Sequence, residues 1–264
     1  LAGLEPQRLC RYPAAPFFPF RFHPHTPFNS FFSSVYHARH LWATHKSFNI
    51  QGGILFMKLS LIRSMTRSAV FELENGLCYR PAHPFTVQLN GETVYTACET
   101  NVFSLFSLLP GTPYTVAVEA EGETLTLDFT TEAETFFVDA SRYGLVADGT
   151  TDNTGKLQAA LSTCPKGGTV YVPAGRYRTS SLFMKSCTTL YLEKGAVLLG
   201  DNDRTHYPIL PGVIPSENEV DEYYLTGWEG NPLDSFAGLL NITQVHDVVV
   251  TGEGTLDCDA QNGD

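Results

Sequence analysis

The stretch GLVADGTTDNTGKLQAALSTCPKGGTVYVPAGRY, residues 144–177, decides the fold. Asp148, Thr151 and Asp152 are candidate N-caps, because their side chains can accept hydrogen bonds from the free N–H groups of a first helical turn. Apolar residues then recur at helical spacing, at Leu157, Ala160, Leu161 and Cys164. Pro165 and the glycines at 167–168 predict the helix end. The stretch therefore predicts one amphipathic helix of about three turns.

Short strands surround this helix, and no further helical pattern separates them. One strand is predicted before it, at 136–140, and others follow as TVYVPAG, RYRTS, SLFMKS, TTLYLEKG and AVLLGD. The absence of alternating helices excludes a doubly wound sheet. The spacing favours the coils of a parallel β-solenoid, each of which buries its inner face on the next. We expect the helix to cover the first coil, whose edge and core would otherwise be exposed.

A different pattern precedes the solenoid, over residues 68–132. Six short strands are predicted there, with turns at Asn90-Gly91 and Glu121-Gly122. This regular spacing is typical of a β-sandwich. The segment LLPGTPYTVAV, 108–118, is similar to the corner of a fibronectin type III domain, which implies that the Tyr114 hydroxyl bonds to nearby backbone. An ordinary hairpin tyrosine is the alternative.

The solenoid resembles known families. VDASRYGLVADGTTDNTGKLQAALSTC, 138–164, and the strands after it look like the opening of pectin-lyase-fold proteins. GLLNITQVHDVVVTGEGTLD, 238–257, resembles a coil of glycoside hydrolase family 28, the polygalacturonases, with Cys258 where that family commonly has glycine. A fibronectin-like module in front resembles the bacterial exo-acting branch. The fold expected is a fibronectin III-like sandwich (68–132) followed by a capped, right-handed parallel β-helix (136–264).

The resemblance implies chemistry whose residues are missing. Inverting glycosidases use one carboxylic acid and, opposite it, carboxylates that activate water. The family carries these groups in NTD, DD, HG and RIK motifs, and none of the four occurs in this sequence. Asp257 and Asp259 are the nearest candidates, but we interpret them as turn residues. No catalytic residue is therefore assigned, and the chain is expected to be a catalytically inactive N-terminal fragment, with substrate-binding residues unknown.

One long segment, 201–236, shows little periodicity and is rich in proline and acidic residues. In a solenoid it would be a loop extending from one coil, and such loops often form the wall of a cleft. Its aromatic residues either stack on sugar rings or, the interpretation favoured here, pack against one another: Tyr207, Tyr223, Tyr224 and Trp228. The acidity of the loop would repel polygalacturonate unless basic groups compensate.

The first residues differ from the rest. Residues 1–56 contain one acidic residue, Glu5, and are rich in phenylalanine and histidine without periodicity. The codons for 51–53 can contain a ribosome-binding sequence, and Met57 follows closely. We therefore expect translation to start at Met57, with 1–67 a non-native leader or disordered arm. The segment after Met57 is a poor export signal because Arg63 and Arg67 interrupt it, so a cytoplasmic location is favoured over secretion.

The net charge, the length of apolar runs and the cysteine spacing limit the functions that are possible. The net charge of −11 argues against a nucleic-acid partner, and no apolar run is long enough to span a membrane. The six cysteines, Cys10, Cys78, Cys98, Cys164, Cys187 and Cys258, show no zinc-type spacing and are interpreted as unpaired thiols. No metal site and no cofactor are expected. The expected partner is pectin, polygalacturonate or their oligosaccharides.

Hydrolysis of α-1,4-galacturonosyl links with inversion is the function that the resemblance implies. One alternative is a pectate-lyase-type enzyme, which would need calcium and a cationic base. The other is a solenoid adhesin or carbohydrate-binding protein without catalytic carboxylates. A solenoid that ends early also exposes its last coil, so self-association is expected.

Overall fold

The structure is a computed structural model that describes residues 46–50, 53–76, 80–215 and 222–262. The predictions for residues 1–45, and those for Cys10 and Cys78, lie outside these ranges. Among the described residues, no helix is long and apolar enough to cross a membrane.

The N-terminal half is a sandwich of two four-stranded antiparallel sheets, ordered β1-β2-β3-β6 and β5-β4-β7-β8. Its strands are β1 (Lys46–Ile50), β2 (Gly53–Ser64), β3 (Ala69–Glu74), β4 (Phe85–Leu89), β5 (Glu92–Cys98), β6 (Val102–Leu105), β7 (Pro113–Ala120) and β8 (Glu123–Thr130). All six predicted strands are present. The predicted boundary at Ser68 is corrected, because β2 pairs with β3 along the sheet and Met57 is a buried core residue.

Alternation and turn chemistry explain the sandwich. The inward residues of β3, Ala69, Phe71 and Leu73, are buried while their neighbours are not. At both predicted turns the two central residues have positive φ, 50° and 85° at Asn90-Gly91 and 50° and 80° at Glu121-Gly122. That geometry matches the twist of paired strands in a hairpin. The predicted fibronectin III-like sandwich is confirmed.

The predicted tyrosine corner is also present. The Tyr114 hydroxyl accepts a hydrogen bond from the Leu109 N–H at 2.9 Å. Its ring stacks on Phe129, with centroids 5.6 Å apart. Tyr114 therefore closes the corner between the two sheets, as the resemblance implied.

The second half is built from parallel coils. Their strands are β9 (Phe136–Asp139), β10 (Asp148–Asp152), β11 (Gly168–Val172), β12 (Gly175–Thr179), β13 (Leu182–Phe183), β14 (Thr188–Leu192), β15 (Ala196–Gly200), β22 (Leu240–Asn241), β23 (Val249–Gly252) and β24 (Thr255–Asp257). They form parallel sheets ordered β23-β14-β11-β9 and β10-β12-β15-β24, and a parallel pair of β13 with β22. The predicted parallel β-helix is confirmed.

The coils differ in length. Thr169 pairs with Thr189 on the next coil, and Thr189 pairs with Val249 on the coil after that, so the second step is much longer than the first. The extra length is the segment after β15. Its described residues, 201–215 and 222–239, contain a 3₁₀ helix and six short strands: Arg204–His206, β16 (Ile209–Leu210), β17 (Val213–Pro215), β18 (Glu222–Tyr224), β19 (Gly227–Trp228), β20 (Asn231–Pro232) and β21 (Ser235–Phe236). These strands pair antiparallel among themselves, so the predicted loop is a hairpin-like excursion from one coil.

Helix α1, Thr154–Thr163, covers the first coil as predicted. A 3₁₀ helix, Ala140–Tyr143, lies beside it. The apolar residues Leu157, Ala160 and Leu161 are buried in the β-helix core. The capping prediction is corrected. Asn153 is the N-cap residue, and its side chain bonds to Val146 backbone instead of the helix.

The three residues predicted as N-caps have different hydrogen-bond partners. Asp152 accepts from the Thr154 N–H at 2.9 Å, so it does serve the first helical turn. Asp148 accepts from the N–H groups of Thr150 and Thr151 and closes a tighter turn before the helix. Thr151 donates its hydroxyl to Asp148 and caps nothing.

The sandwich and the β-helix meet along the outer face of the sheet that contains β9, β11 and β14. Phe137, Tyr171 and Tyr191 stack on successive coils, with ring centroids 5.3 Å and 6.0 Å apart. The Tyr191 hydroxyl accepts from the Ser107 N–H of the sandwich at 3.0 Å. Arg67 lies 4.6 Å above the Phe137 ring. An aromatic ladder of the β-helix therefore supports the sandwich.

Candidate functional site

The long loop forms the wall of a pocket beside the ends of β15 and β24. The pocket has a volume of about 310 Å³, within the range typical of small-ligand sites. Three segments line it: Asp201, Asn202, Arg204 and Tyr207; Phe236, Ala237 and Leu239; and Cys258, Asp259 and Ala260. The expectation that this loop borders a cleft is met by this arrangement.

Asp201 is the best-anchored polar residue of the pocket. Its carboxylate accepts from Arg178 at 2.5 Å and lies 2.6 Å from His206 Nδ1. Its backbone position follows β15 directly, and Arg178 lies one coil earlier on β12. The side chain is 4% exposed. The parallel register of the coils therefore brings a buried carboxylate and a guanidinium together at the pocket edge.

In the cluster of Arg178, Asp201 and His206, the opposite charges stabilise one another. Burial alone would raise the pKa of Asp201, but hydrogen bonds from Arg178, the Asp203 N–H and His206 outweigh it and lower the pKa. The bond to Asp201 raises the pKa of His206. Asp201 is therefore held as a carboxylate, which is the opposite of what a general acid at neutral pH requires.

The remaining lining combines apolar and polar surface. Tyr207 is half-buried, and that burial raises the pKa of its hydroxyl. Phe236 is 48% exposed and also lines the pocket. Arg204 adds a guanidinium and Asp259 a carboxylate. Ring faces together with hydrogen-bonding groups suit a hydroxylated ligand such as a sugar.

Asp257 and Asp259 take the positions of turn residues. Asp257 accepts from the Asp259 N–H at 3.0 Å, and Asp259 accepts from the side-chain amides of Gln261 and Asn262. Asp259 has a φ of 52°, as residues in tight turns often do. Both carboxylates are thus used to close the turn after β24.

The four predicted aromatic residues separate in space. Of these four, Tyr207 lines the pocket, whereas Tyr223, Tyr224 and Trp228 are 58%, 60% and 69% exposed. The favoured interpretation, that the loop packs its own aromatic residues, is wrong for these three. They lie on β18 and β19, whose antiparallel partners belong to the same loop, and among the described residues these three side chains remain largely exposed.

The cluster of Arg178, Asp201 and His206 was missed by sequence reasoning. Asp201 and His206 lie close together in the long loop, whereas Arg178 lies one coil earlier on β12, and no motif joins it to them. The signal that was available is the coil spacing. Arg178 pairs with Leu199 on the next coil, and Asp201 directly follows that strand, two residues after Leu199. Aligning the chain on its coils would have placed Asp201 near Arg178 on the neighbouring coil.

Comparison with known proteins agrees with this fold. Residues 137–212 match the family model of rhamnogalacturonase A/epimerase, pectate lyase-like. The Yersinia enterocolitica family 28 exopolygalacturonase is similar in structure, with a TM-score of 0.51 and 20% identity over 77% of this chain and 41% of that one. The predicted resemblance is confirmed. At that identity the structural likeness establishes the fold.

Three curated proteins are similar in sequence. The chain is 40% identical over 108 residues to an exo-poly-α-D-galacturonosidase of Dickeya chrysanthemi, covering 38% of this chain. It is 35% identical over 125 residues to a probable polygalacturonase of Vitis vinifera, covering 44%. It is 38% identical over 82 residues to a probable rhamnogalacturonase B of Aspergillus oryzae, covering 31%. The matches span 18%, 23% and 15% of those proteins, about a fifth of their length.

Proposed function

We propose that this chain is part of a polygalacturonase-type glycosidase that acts on pectin or polygalacturonate. The observation that carries the proposal is the 40% identity over 108 residues with an exo-poly-α-D-galacturonosidase. The order of modules supports it, since a fibronectin-like sandwich leads into a capped parallel β-helix. The reaction proposed is hydrolysis of α-1,4-galacturonosyl links with inversion, in which an acid and a water-activating carboxylate stand on opposite sides of the bond.

Within that enzyme, the sandwich and the coils of this chain would supply the scaffold and one wall for the substrate. The sequence contains none of the NTD, DD, HG and RIK motifs, and Asp201 is held ionised by Arg178 and His206. We therefore expect this chain by itself to release no reducing ends from polygalacturonate. The carboxylates that cleave the bond would belong to further coils of a longer protein.

The activity test compares products under two conditions. The full chain is incubated with polygalacturonate, and reducing ends and unsaturated products are measured with and without a chelator. No product of either kind is expected. Release of reducing ends would contradict the proposed inactivity, whereas unsaturated products that disappear with the chelator would favour a calcium-dependent lyase.

The identity test reads the source DNA on both sides of the coding segment. A frame that continues into NTD, DD, HG and RIK would support the glycosidase. A frame that continues as further coils without paired carboxylates would favour a solenoid adhesin and overturn the proposal. The same reading would check the predicted start at Met57.

The pocket is proposed to contact the polymer. Arg204, Tyr207 and Phe236 line the pocket, and guanidinium groups and aromatic rings are the groups that bind uronate carboxylates and sugar rings. Binding of a galacturonate oligomer to the full chain, measured by calorimetry, is expected to weaken about tenfold in Arg204→Ala. Arg142→Ala serves as the control, because it changes an exposed arginine of the 3₁₀ helix Ala140–Tyr143, which lies beside α1 at the first coil. Equal binding in both variants would place the contact elsewhere.

A second substrate calls for a parallel measurement, because the matching family model and one relative are described as rhamnogalacturonases. Oligomers of rhamnogalacturonan are titrated beside galacturonate oligomers of equal length. Preference for the galacturonate oligomer is expected. Preference for the rhamnogalacturonan oligomer would make rhamnogalacturonan the proposed substrate, and the proposed reaction type would stay the same.

A further inference from the structure

A side-chain cluster outside the pocket joins two neighbouring coils. Cys187 lies in the turn between β13 and β14, and His246 and Asp247 lie in the turn before β23. The turns are held by backbone bonds, with the Cys187 N–H donating to the His246 carbonyl at 2.9 Å. The His246 N–H donates to the Ser186 hydroxyl at 3.2 Å. Stacking of the coils thus fixes residues that are far apart in the sequence.

Three different donor atoms meet in this cluster. Cys187 Sγ lies 3.8 Å from His246 Nδ1 and 4.0 Å from Asp247 Oδ2, and His246 Nδ1 lies 2.9 Å from the same oxygen. One ligand atom from each residue falls within 4.8 Å of the others. Around a tetrahedral zinc ion with ordinary bond lengths, neighbouring ligand atoms are roughly 3.5 Å apart. The two separations to sulfur are somewhat longer than that value and the nitrogen–oxygen separation is shorter, so small side-chain rotations would bring all three atoms to it.

The geometry excludes a nucleophilic triad. In such a triad the imidazole uses one nitrogen for the nucleophile and the other for the carboxylate. Here the thiol and the carboxylate approach the same nitrogen, Nδ1 of His246. Convergence of sulfur, nitrogen and oxygen on one point is instead the requirement of a metal centre.

The backbone at this cluster is unusual. Cys187 and Asp247 have φ values of 58° and 53°, in the left-handed region that residues other than glycine rarely adopt. Residues in tight turns often have such values, as Asp259 does. Both of these residues belong to the donor set.

The competing explanation is that exposed side chains lie close together by chance. His246 and Asp247 are 71% and 76% exposed, and exposed His–Asp pairs are common. The hydrogen bond with His246 is the main cause that lowers the pKa of Asp247, and the charges of Lys166 and Arg63 add to it. These two cations would weaken the binding of a metal ion. A thiol in the same cluster distinguishes it from such pairs, since Cys–His–Asp sets favour zinc-type ions over calcium or magnesium.

We propose that Cys187, His246 and Asp247 bind one zinc-type transition-metal ion, with water as the fourth ligand. The site is independent of the proposed glycosidase activity. Its consequence is mechanical, because the ion would link consecutive turns of the β-helix. With two exposed ligands, one half-buried ligand and two cations nearby, the affinity is expected in the micromolar range.

Zinc titration of the full chain tests the proposal. Calorimetry is expected to show one ion per chain, and Co²⁺ is expected to give a thiolate charge-transfer band. Cys187→Ser, His246→Gln and Asp247→Asn should each weaken Zn²⁺ binding by roughly 100-fold or lose it, since even residues behind the ligands affect affinity by 10- to 100-fold. Calcium should not compete.

Two substitutions of exposed residues serve as matched controls. Cys258→Ser and His83→Gln remove a thiol and an imidazole elsewhere on the surface and should leave the affinity unchanged. Zinc should raise the melting temperature of the wild type and of both controls, but not of the three ligand variants. Unchanged zinc binding or an unchanged Co²⁺ band in Cys187→Ser would overturn the proposal, as would a wild type that binds no zinc at millimolar concentration.

Discussion

Tyr114 shows how one hydroxyl determines a local fold. The Leu109 N–H precedes the Pro110-Gly111 turn, and the phenol oxygen is its hydrogen-bond partner. Tyr114→Phe keeps the stacking on Phe129 but removes that acceptor. We expect the free energy of unfolding to fall by about 1 kcal/mol, measured by urea denaturation.

The control for this substitution is Tyr223→Phe, which removes a hydroxyl from a largely exposed ring of the long loop. Its effect should stay below about 0.5 kcal/mol. If the two variants were equally stable, the corner hydrogen bond would contribute nothing.

The contacts around Asp201 predict a dependence of stability on pH. The pKa of Asp201 is lowered in the folded state, so its contribution is present above the ordinary value of 3.8 and is lost as the pH falls. The pKa of His206 is raised, so its contribution is complete below the ordinary value of 6.5 and is lost as the pH rises through the folded pKa. The cluster therefore stabilises most between these two values.

Denaturation of the wild type and His206→Gln at about pH 5.5 and about pH 8.5 measures this effect. The wild type should lose more stability than the variant between the two conditions. His83→Gln, in the sandwich, should behave as the wild type does. A variant whose pH profile matched the wild type would show that His206 does not contribute through its charge.

Residue identities in this cluster could not be assigned from sequence. Tyr114 was found because its neighbours, a leucine, a Pro-Gly turn and a strand, are contiguous. Arg178 joins Asp201 and His206 only through the register of the coils. Likewise, Cys187 and His246 were not expected to meet, since spacing rules for metal ligands apply to residues close in sequence.

At the scale of elements, α1 closes the first coil with a single apolar face. Leu157 is 1% exposed and belongs to the β-helix core. Leu157→Ala should destabilise the protein by about 3 kcal/mol, because it removes a buried side chain and leaves a cavity. Gly155→Ala is the matched change on the same helix. Its new methyl group meets open space, so a gain of about 0.5 kcal/mol is expected.

Thermal unfolding followed by circular dichroism would rank these variants. The melting temperature of Gly155→Ala is expected to lie above that of the wild type, and the melting temperature of Leu157→Ala well below it. A Leu157→Ala protein as stable as the wild type would mean that the helix is not required to cover the coil.

Gly252 and Gly254, at the end of β23 and just after it, allow close packing of neighbouring coils. A Cβ at Gly252 would lie 2.0 Å from the Leu192 carbonyl oxygen, and the φ of Gly252 is 112°. Gly252→Ala should therefore destabilise the β-helix by roughly 2 kcal/mol or more. Gly230→Ala in the long loop has a positive φ of 82° but open space around it, and should cause a loss of about 1 kcal/mol. Equal urea midpoints for the two variants would contradict this account.

Element types were predictable where their patterns were local. The helix and the strands around it follow from apolar spacing and from turn residues. β2 was not predicted because the residues up to 67 were interpreted as a leader or disordered arm, and the strand is defined by its pairing with β3. The exposed hairpins β18 and β19 were misjudged because sequence does not reveal whether a second layer exists to pack against.

For the whole molecule, the junction between sandwich and β-helix determines whether the two halves unfold together. Arg67 donates to Glu134 at 2.8 and 2.6 Å, and the side chains are 22% and 8% exposed. Arg67→Ala removes this pair and the contact with the Phe137 ring. We expect a loss of roughly 2 kcal/mol, between the values for exposed and buried ion pairs.

Lys58→Ala removes the more exposed pair with Glu74 at 3.2 Å and should change stability by less than about 1 kcal/mol. Calorimetry distinguishes the two variants. A single transition is expected for the wild type and for Lys58→Ala, and separated transitions for Arg67→Ala. One unchanged transition in Arg67→Ala would show that the aromatic ladder alone couples the halves.

The unequal coils have a consequence for diversity. The step from Thr169 to Thr189 is short, yet the step from Thr189 to Val249, which contains the long loop, returns to the same register. Length added at that point alters no rung of the ladder. A lineage could therefore exchange this segment, as an antibody exchanges a hypervariable loop, and acquire a new outer wall for its pocket while inheriting the framework unchanged.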